Sequence, residues 1–177
     1  LHGQNKDALA KMQKGNWKYD IVEAGYKCNM TDIMAAIGLV ELSRYEEETL
    51  PVRKKIIERY QKAFAPYSWA QLPIFEDAER VSSFHLYPLR IKGIDEARRD
   101  AIIQDIFNRD VSVNVHFIPL PLLSFYKKMG YSIEEYPITY RNFSAEISLP
   151  VFEDLTNEMQ DIVIKALIDS VQNQLSV

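Results

Sequence analysis

The groups in this sequence best suited to moving protons or holding anions are His2, His85 and His116, the single thiol of Cys28, and the amide of Asn29. His85 and His116 each sit in a strand-like run beside aromatic residues and near a proline. Two readings stand for them. They are hydrogen-bonded histidines at a sheet end, or both face a cleft completed by something outside this chain. Asn29 directly precedes a helix start. Free N–H groups and the helix dipole at such an end attract phosphate, and an asparagine amide adds a donor. Ordinary capping explains the same residue and is the favoured reading on the residues alone. Lys27 beside Cys28 can lower a thiol pKa, but a lone cysteine usually serves packing. There is no H-x₃-H or C-x-x-C spacing, so a metal site lacks support, and no G-x-G-x-x-G, P-loop or G-x-S-x-G is present.

The elements that must position these groups can be read from periodicity and end signals. Residues 1–30 are mixed and polar, with Lys6, Lys11, Lys14 and Lys18 punctuating a weak helical stretch. Thr31 or Asn29 can cap the next helix, with Asp32 in its first turn. From Ile33 to Leu42 that helix is apolar almost all round, so it is expected to be buried on several sides. Pro51 marks a break, a kink or a new first turn, and Ile56, Ile57, Tyr60 and Phe64 then recur at helical spacing. Residues 84–91 read as a strand, with Pro88 at an edge or a bulge. A helix follows from Gly93 or Asp95 to Arg109. Residues 111–117 alternate as a half-buried strand. A short helix at 122–129 ends at Gly130, residues 138–146 are helical, and 147–150 form a short strand. Thr156 caps the last helix. The order of elements gives an α+β fold with helices on one face of a small sheet.

Composition narrows the function classes. The chain of 177 residues has 21 Lys+Arg against 25 Asp+Glu, a net charge of −4. That mild value gives no electrostatic case for nucleic acid or an anionic membrane. With Cys28 alone, no internal disulfide can form, and a reducing, cytoplasmic setting is expected. No apolar run reaches the length of a membrane span. The first residues carry no apolar signal region and no initiator Met, which suggests a piece of a longer chain.

The run Gly25-Tyr26-Lys27-Cys28-Asn29-Met30-Thr31-Asp32-Ile33-Met34-Ala35-Ala36-Ile37-Gly38-Leu39 closely resembles the G-Y-x-x-N-x-x-D-x-x-A-A-I-G-L segment of pyridoxal-phosphate sugar aminotransferases of the DegT/DnrJ/StrS type. Later pieces agree in order. Ser82 to Pro88 is similar to the family's S-x-H-L-[YF]-x strand. Val115-His116-Phe117-Ile118-Pro119-Leu120 is similar to its H-[YF]-x-P-[LV] element. Ile147 to Val151 with Leu155-Thr156 is similar to its S-L-P-[LV]…L-T ending. His2-Gly3 matches an H-G that follows the cofactor-lysine region.

The resemblance implies the small C-terminal α+β domain of a fold-type I transferase, aspartate aminotransferase-like and α/β overall. Residues 1–30 would be a remnant of the large cofactor domain, 31–66 a linking helix or helices, and 67–177 the small domain. It implies a homodimer that uses pyridoxal phosphate to move an amino group from glutamate to a keto sugar nucleotide, in polysaccharide biosynthesis. Asn29 would then reach the phosphate of the neighbouring subunit's cofactor, which displaces the capping reading. Tyr26, Lys27, His85 and His116 would serve substrate binding. Two departures matter. Nothing here resembles the S-F-x-x-x-K-x-x-x-x-G-E-G-G segment that carries the Schiff-base lysine, so the chain alone is expected to be inactive. Pro121 stands where many members have His. A sugar dehydratase of the same family, and an interaction module without catalysis, are the alternatives.

Overall fold

A computed structural model describes residues 30–175 together with Ala24, Tyr26 and Cys28. Asn29 and Lys27 fall outside the described residues. The chain divides into two units, residues 1–45 and 46–177.

The first unit contains helix α1, Asp32–Arg44. Thr31 is its cap, with Oγ1 accepting from the Met34 N–H, and Asp32 and Arg44 place opposite charges at the ends that favour them. No residue of α1 is buried. Ile33, Met34, Ile37, Leu39, Val40 and Leu42 are all more than half exposed. The expected burial on several sides is not met among the described residues. The all-round apolar character is real, but the described residues supply nothing that covers it. A π-helical turn at Tyr45–Thr49 leads into α2, Leu50–Phe64. Pro51 has no N–H to continue the helical ladder, and the helix departs from α geometry to the π turn just before it.

The second unit is built on a three-stranded antiparallel sheet. Its strands are β1 (Ala70–Gln71), β2 (Tyr87–Ile91) and β3 (Glu146–Leu149), with β2 in the middle. The helices α3 (Glu96–Phe107), α4 (Ser124–Lys128), α5 (Pro137–Phe143) and α6 (Asn157–Leu175) complete it. Period-two alternation sends Tyr87, Leu89 and Ile91 into a core shared with Ile147 and Leu149 of β3. Ile56, Ile57, Tyr60 and Phe64 of α2 close that core with Ile102 and Ile106 of α3 and Val163, Leu167 and Val171 of α6. Each such side chain contributes about 1.5–3 kcal/mol through removal from water. Asp95 caps α3 through the Arg98 N–H, and Thr156 caps α6 through the Met159 N–H.

Three local expectations need correction. Residues 84–86 are not strand. Phe84 is buried with φ of 53°, a left-handed conformation that interrupts an extended run. Pro88 is in the central strand rather than an edge or a bulge. Ser148 donates its N–H to the Asn114 carbonyl and accepts the Asn114 N–H at its own carbonyl, so the Pro88–Ser148 pair carries no ladder bonds. The nitrogen of Pro88 then faces the β1 side, where the two residues of β1 reach only Arg90 and Ile91. Residues 111–117 form no strand beyond one bridge, Asn114 to Ser148. Side chains intercept the ladder donors there: the Asn114 amide oxygen takes the Val115 N–H at 2.8 Å, and a Glu146 carboxylate oxygen takes the His116 N–H at 3.0 Å.

Candidate functional site

The face of the sheet opposite the main core carries Pro88 and Arg90 of β2 and Glu146 and Ser148 of β3. The segment around Asn114–Phe117 and helix α5 border it. The result is an open cleft of about 580 Å³ whose lining includes Arg80, Arg90, His116, Phe117, Asn142 and Glu146.

Glu146 organises this cleft. It is buried to 5% exposure. One carboxylate oxygen accepts the His116 N–H, and the other accepts the Ser148 hydroxyl. Its backbone carbonyl receives Nη1 of the buried Arg99 at 3.3 Å, and the same nitrogen donates to the Phe143 carbonyl at 2.6 Å. Arg99 also lies 4.7 Å from the centre of the Phe143 ring. Burial pushes the Glu146 carboxyl above its ordinary range, against the opposing pull of the Ser148 hydroxyl, the His116 N–H and the Arg99 charge. His116 packs edge-on against Phe117 at 4.6 Å, across a cis peptide bond. Its Nδ1 is buried and has no hydrogen-bond partner among the described residues. The arrangement offers a positioned imidazole, a buried carboxyl group and cationic donors to a polar ligand.

The carboxyl environment gives a pH signature. A folded-state pKa raised above the unfolded value means that Glu146 favours the fold most below the unfolded value of about 4.5. That contribution fades as pH rises through the folded pKa. Glu146→Gln keeps an acceptor for the His116 N–H and carries no charge. Its stability relative to the parent is therefore expected to improve steadily from pH 4 to pH 7 in urea titrations. Glu146→Ala strands two donors and should cost about 1–3 kcal/mol at pH 4, a deficit that shrinks as pH rises. A Gln-variant difference that does not change with pH would contradict the raised pKa.

The two histidines have different partners within the chain. His85 is exposed and accepts at Nδ1 from Nη1 of Arg53 at 3.1 Å, so its own N–H is on Nε2. His85 does not line the cleft that holds His116. Tyr26 is 92% exposed. Arg90, Asn142 and Glu146 were not singled out by sequence reasoning. A usable signal for Glu146 was present, namely the one charge in a strand that alternates with Ile147 and Leu149. None of three clefts among the described residues joins a lysine to both an acid and an aromatic ring.

Known proteins give the wider setting. The protein MJ1066 of Methanocaldococcus jannaschii is 34% identical over 171 residues, covering 94% of this chain and 44% of the relative. The spore coat polysaccharide biosynthesis protein SpsC of Bacillus subtilis is 32% identical over 178 residues, covering 97% of this chain and 45% of that protein. Spr1654 of Streptococcus pneumoniae, named as a sugar aminotransferase, superimposes in its PMP form with a TM-score of 0.82 at 44% identity, covering 98% of this chain and 43% of the relative. The same pneumococcal protein is also known in a PLP form. The chain thus spans under half the length of the relatives it matches. The family model for DegT/DnrJ/EryC1/StrS aminotransferases matches residues 1–168, and the chain belongs to that family.

Proposed function

We propose that the chain serves a pyridoxal-phosphate-dependent sugar aminotransferase as its C-terminal portion, moving an amino group from glutamate to a keto carbon of a sugar nucleotide. The family match over residues 1–168 carries this reading. The similarity to Spr1654 and to SpsC supports the sugar substrate. Pyridoxal phosphate, when bound, supplies the electron sink that lets nitrogen pass between carbon skeletons. This chain's own part is to present the polar cleft around His116, Arg90 and Asn142 to the substrate. Glu146 holds the His116 backbone in place there. In the same reading Asn29 reaches the cofactor phosphate of a second subunit, with Tyr26 and Lys27 beside it, and His85 contributes on the substrate side. Residues 1–30, 31–66 and 67–177 are then cofactor-domain remnant, linker and small domain. The assembly is a homodimer of the cytoplasm, a setting that suits the lone thiol of Cys28.

The test is a chimera in which these 177 residues replace the matching 43% of Spr1654. Supplied with ¹⁵N-glutamate and a panel of keto sugar nucleotides, it is expected to place the label on one sugar. A chimera that retains pyridoxal phosphate but labels none of them would overturn the substrate class.

A further inference from the structure

Arg99 of α3 is 2% exposed, yet it lines none of the three clefts. A buried guanidinium is costly, and a well-packed apolar side chain in its place is often neutral or stabilising. Its contacts therefore ask for a reason. Nη1 donates to the Phe143 carbonyl at 2.6 Å and to the Glu146 carbonyl at 3.3 Å. Nε donates to a carboxylate oxygen of Asp100 at 2.6 Å, and the guanidinium carbon lies 4.7 Å from the centre of the Phe143 ring. The two carbonyls flank the corner where α5 ends and β3 begins. Beside that corner, one carboxylate oxygen of Glu96 accepts the Tyr140 hydroxyl at 2.9 Å, and the other lies 3.8 Å from Nη2 of Arg99. Helix α3 thus holds the end of α5 at two points. The same corner carries Asn142, Phe143 and Glu146, all of which line the cleft of about 580 Å³.

We propose that Arg99 is a positioning residue for the substrate cleft, fixing Asn142 and Glu146 relative to each other, a role that rests on the substrate reading above. Asn142 accepts from Arg90 of β2, and Glu146 accepts the His116 N–H. A shift of the corner therefore moves both contacts at once. The charge of Arg99 also opposes the burial that pushes the Glu146 carboxyl up, so it favours the carboxylate that accepts from His116. The other charged or titratable groups that line the cleft with Glu146 are Arg80, Arg90 and His116. A lysine is no substitute at this position. Its ammonium is a point charge without the planar fork that serves two carbonyls and Asp100 together, and without a flat face for Phe143.

Arg99→Lys and Arg99→Gln test it, with Ile106→Val as a buried α3 control outside the corner. Hydrogen exchange of the 177-residue chain is followed by mass spectrometry. Exchange is expected to quicken about tenfold in the segments holding residues 142–146 and His116 in both Arg99 variants, and not in Ile106→Val. In the Spr1654 chimera, each Arg99 variant is expected to raise the KM for the keto sugar nucleotide about fivefold to tenfold with kcat changed less than about twofold, because the cleft binds substrate and does not react. Unchanged exchange at 142–146, equal quickening in Ile106→Val, or faster exchange with KM unchanged would each overturn the role. If one Arg99 variant does not fold, the other decides by the same measurements. A parent chimera that labels no sugar would overturn the substrate reading, while the exchange measurement still decides whether Arg99 fixes the corner, so the two fail separately.

Discussion

Supplied with pyridoxal phosphate, glutamate and a 4-keto sugar nucleotide, the 177-residue chain transfers no nitrogen above the rate of the free cofactor. The family's reactive lysine sits in a segment that nothing in this sequence resembles. Lys6, Lys11, Lys14 and Lys18 fall outside that motif and outside the described residues. Among the described residues, Lys54 is paired with Glu76 at 2.6 Å and Lys165 is paired with Asp169. Lys92 lines a cleft with neither an acid nor an aromatic ring. Enzymes of this kind gain about 10⁶-fold or more over the uncatalysed reaction, and that whole factor is expected to be missing. Amino sugar formed by the chain alone, followed by mass spectrometry, would contradict the placement of the reactive amine elsewhere.

The second large effect concerns α1. Six large apolar side chains of one helix, from Ile33 to Leu42, are each more than half exposed. Monomeric proteins rarely leave such a patch in water. The chain is therefore expected to self-associate at micromolar concentration. Replacing Ile33, Ile37 and Val40 by Glu removes about 1.5 kcal/mol of transfer free energy per side chain at the low end of the range. Association should then weaken about a thousandfold. Sedimentation equilibrium of both proteins gives the comparison. A parent that stays monomeric at high concentration, or a triple variant that associates equally well, would show that this surface is not a contact.

Much of the second unit was legible because local signals and burial agree there. Asp95 and Thr156 cap helices where the sequence places them, and the spacing of Ile56, Ile57, Tyr60 and Phe64 matches the buried face of α2. The misreadings share a cause. Residues 111–117 alternate like a strand, yet side chains of Asn114 and Glu146 take the donors that a ladder needs. Phe84 adopts a left-handed conformation that periodicity cannot reveal, stacked on Phe75 at 5.8 Å. Pro88 tolerates the central strand only because β1 stops short, a fact about a neighbour more than a dozen residues away. For α1, composition reports a need for burial but not what meets it.

The candidate site was less legible than the fold. His116 was found by type and motif, but its anchoring to Glu146 spans thirty residues and is set by the sheet register. His85 carries a similar motif signal and bonds to Arg53. Two histidines in similar local contexts thus reach different partners, which only the three-dimensional arrangement distinguishes.

The most direct test of the family function is the glutamate half-reaction in the Spr1654 chimera, read as conversion of bound PLP to its PMP form by the change in cofactor absorbance. Full conversion on adding glutamate is expected. A folded chimera that keeps its PLP unconverted under saturating glutamate, while intact Spr1654 converts under the same conditions, would contradict the aminotransferase assignment.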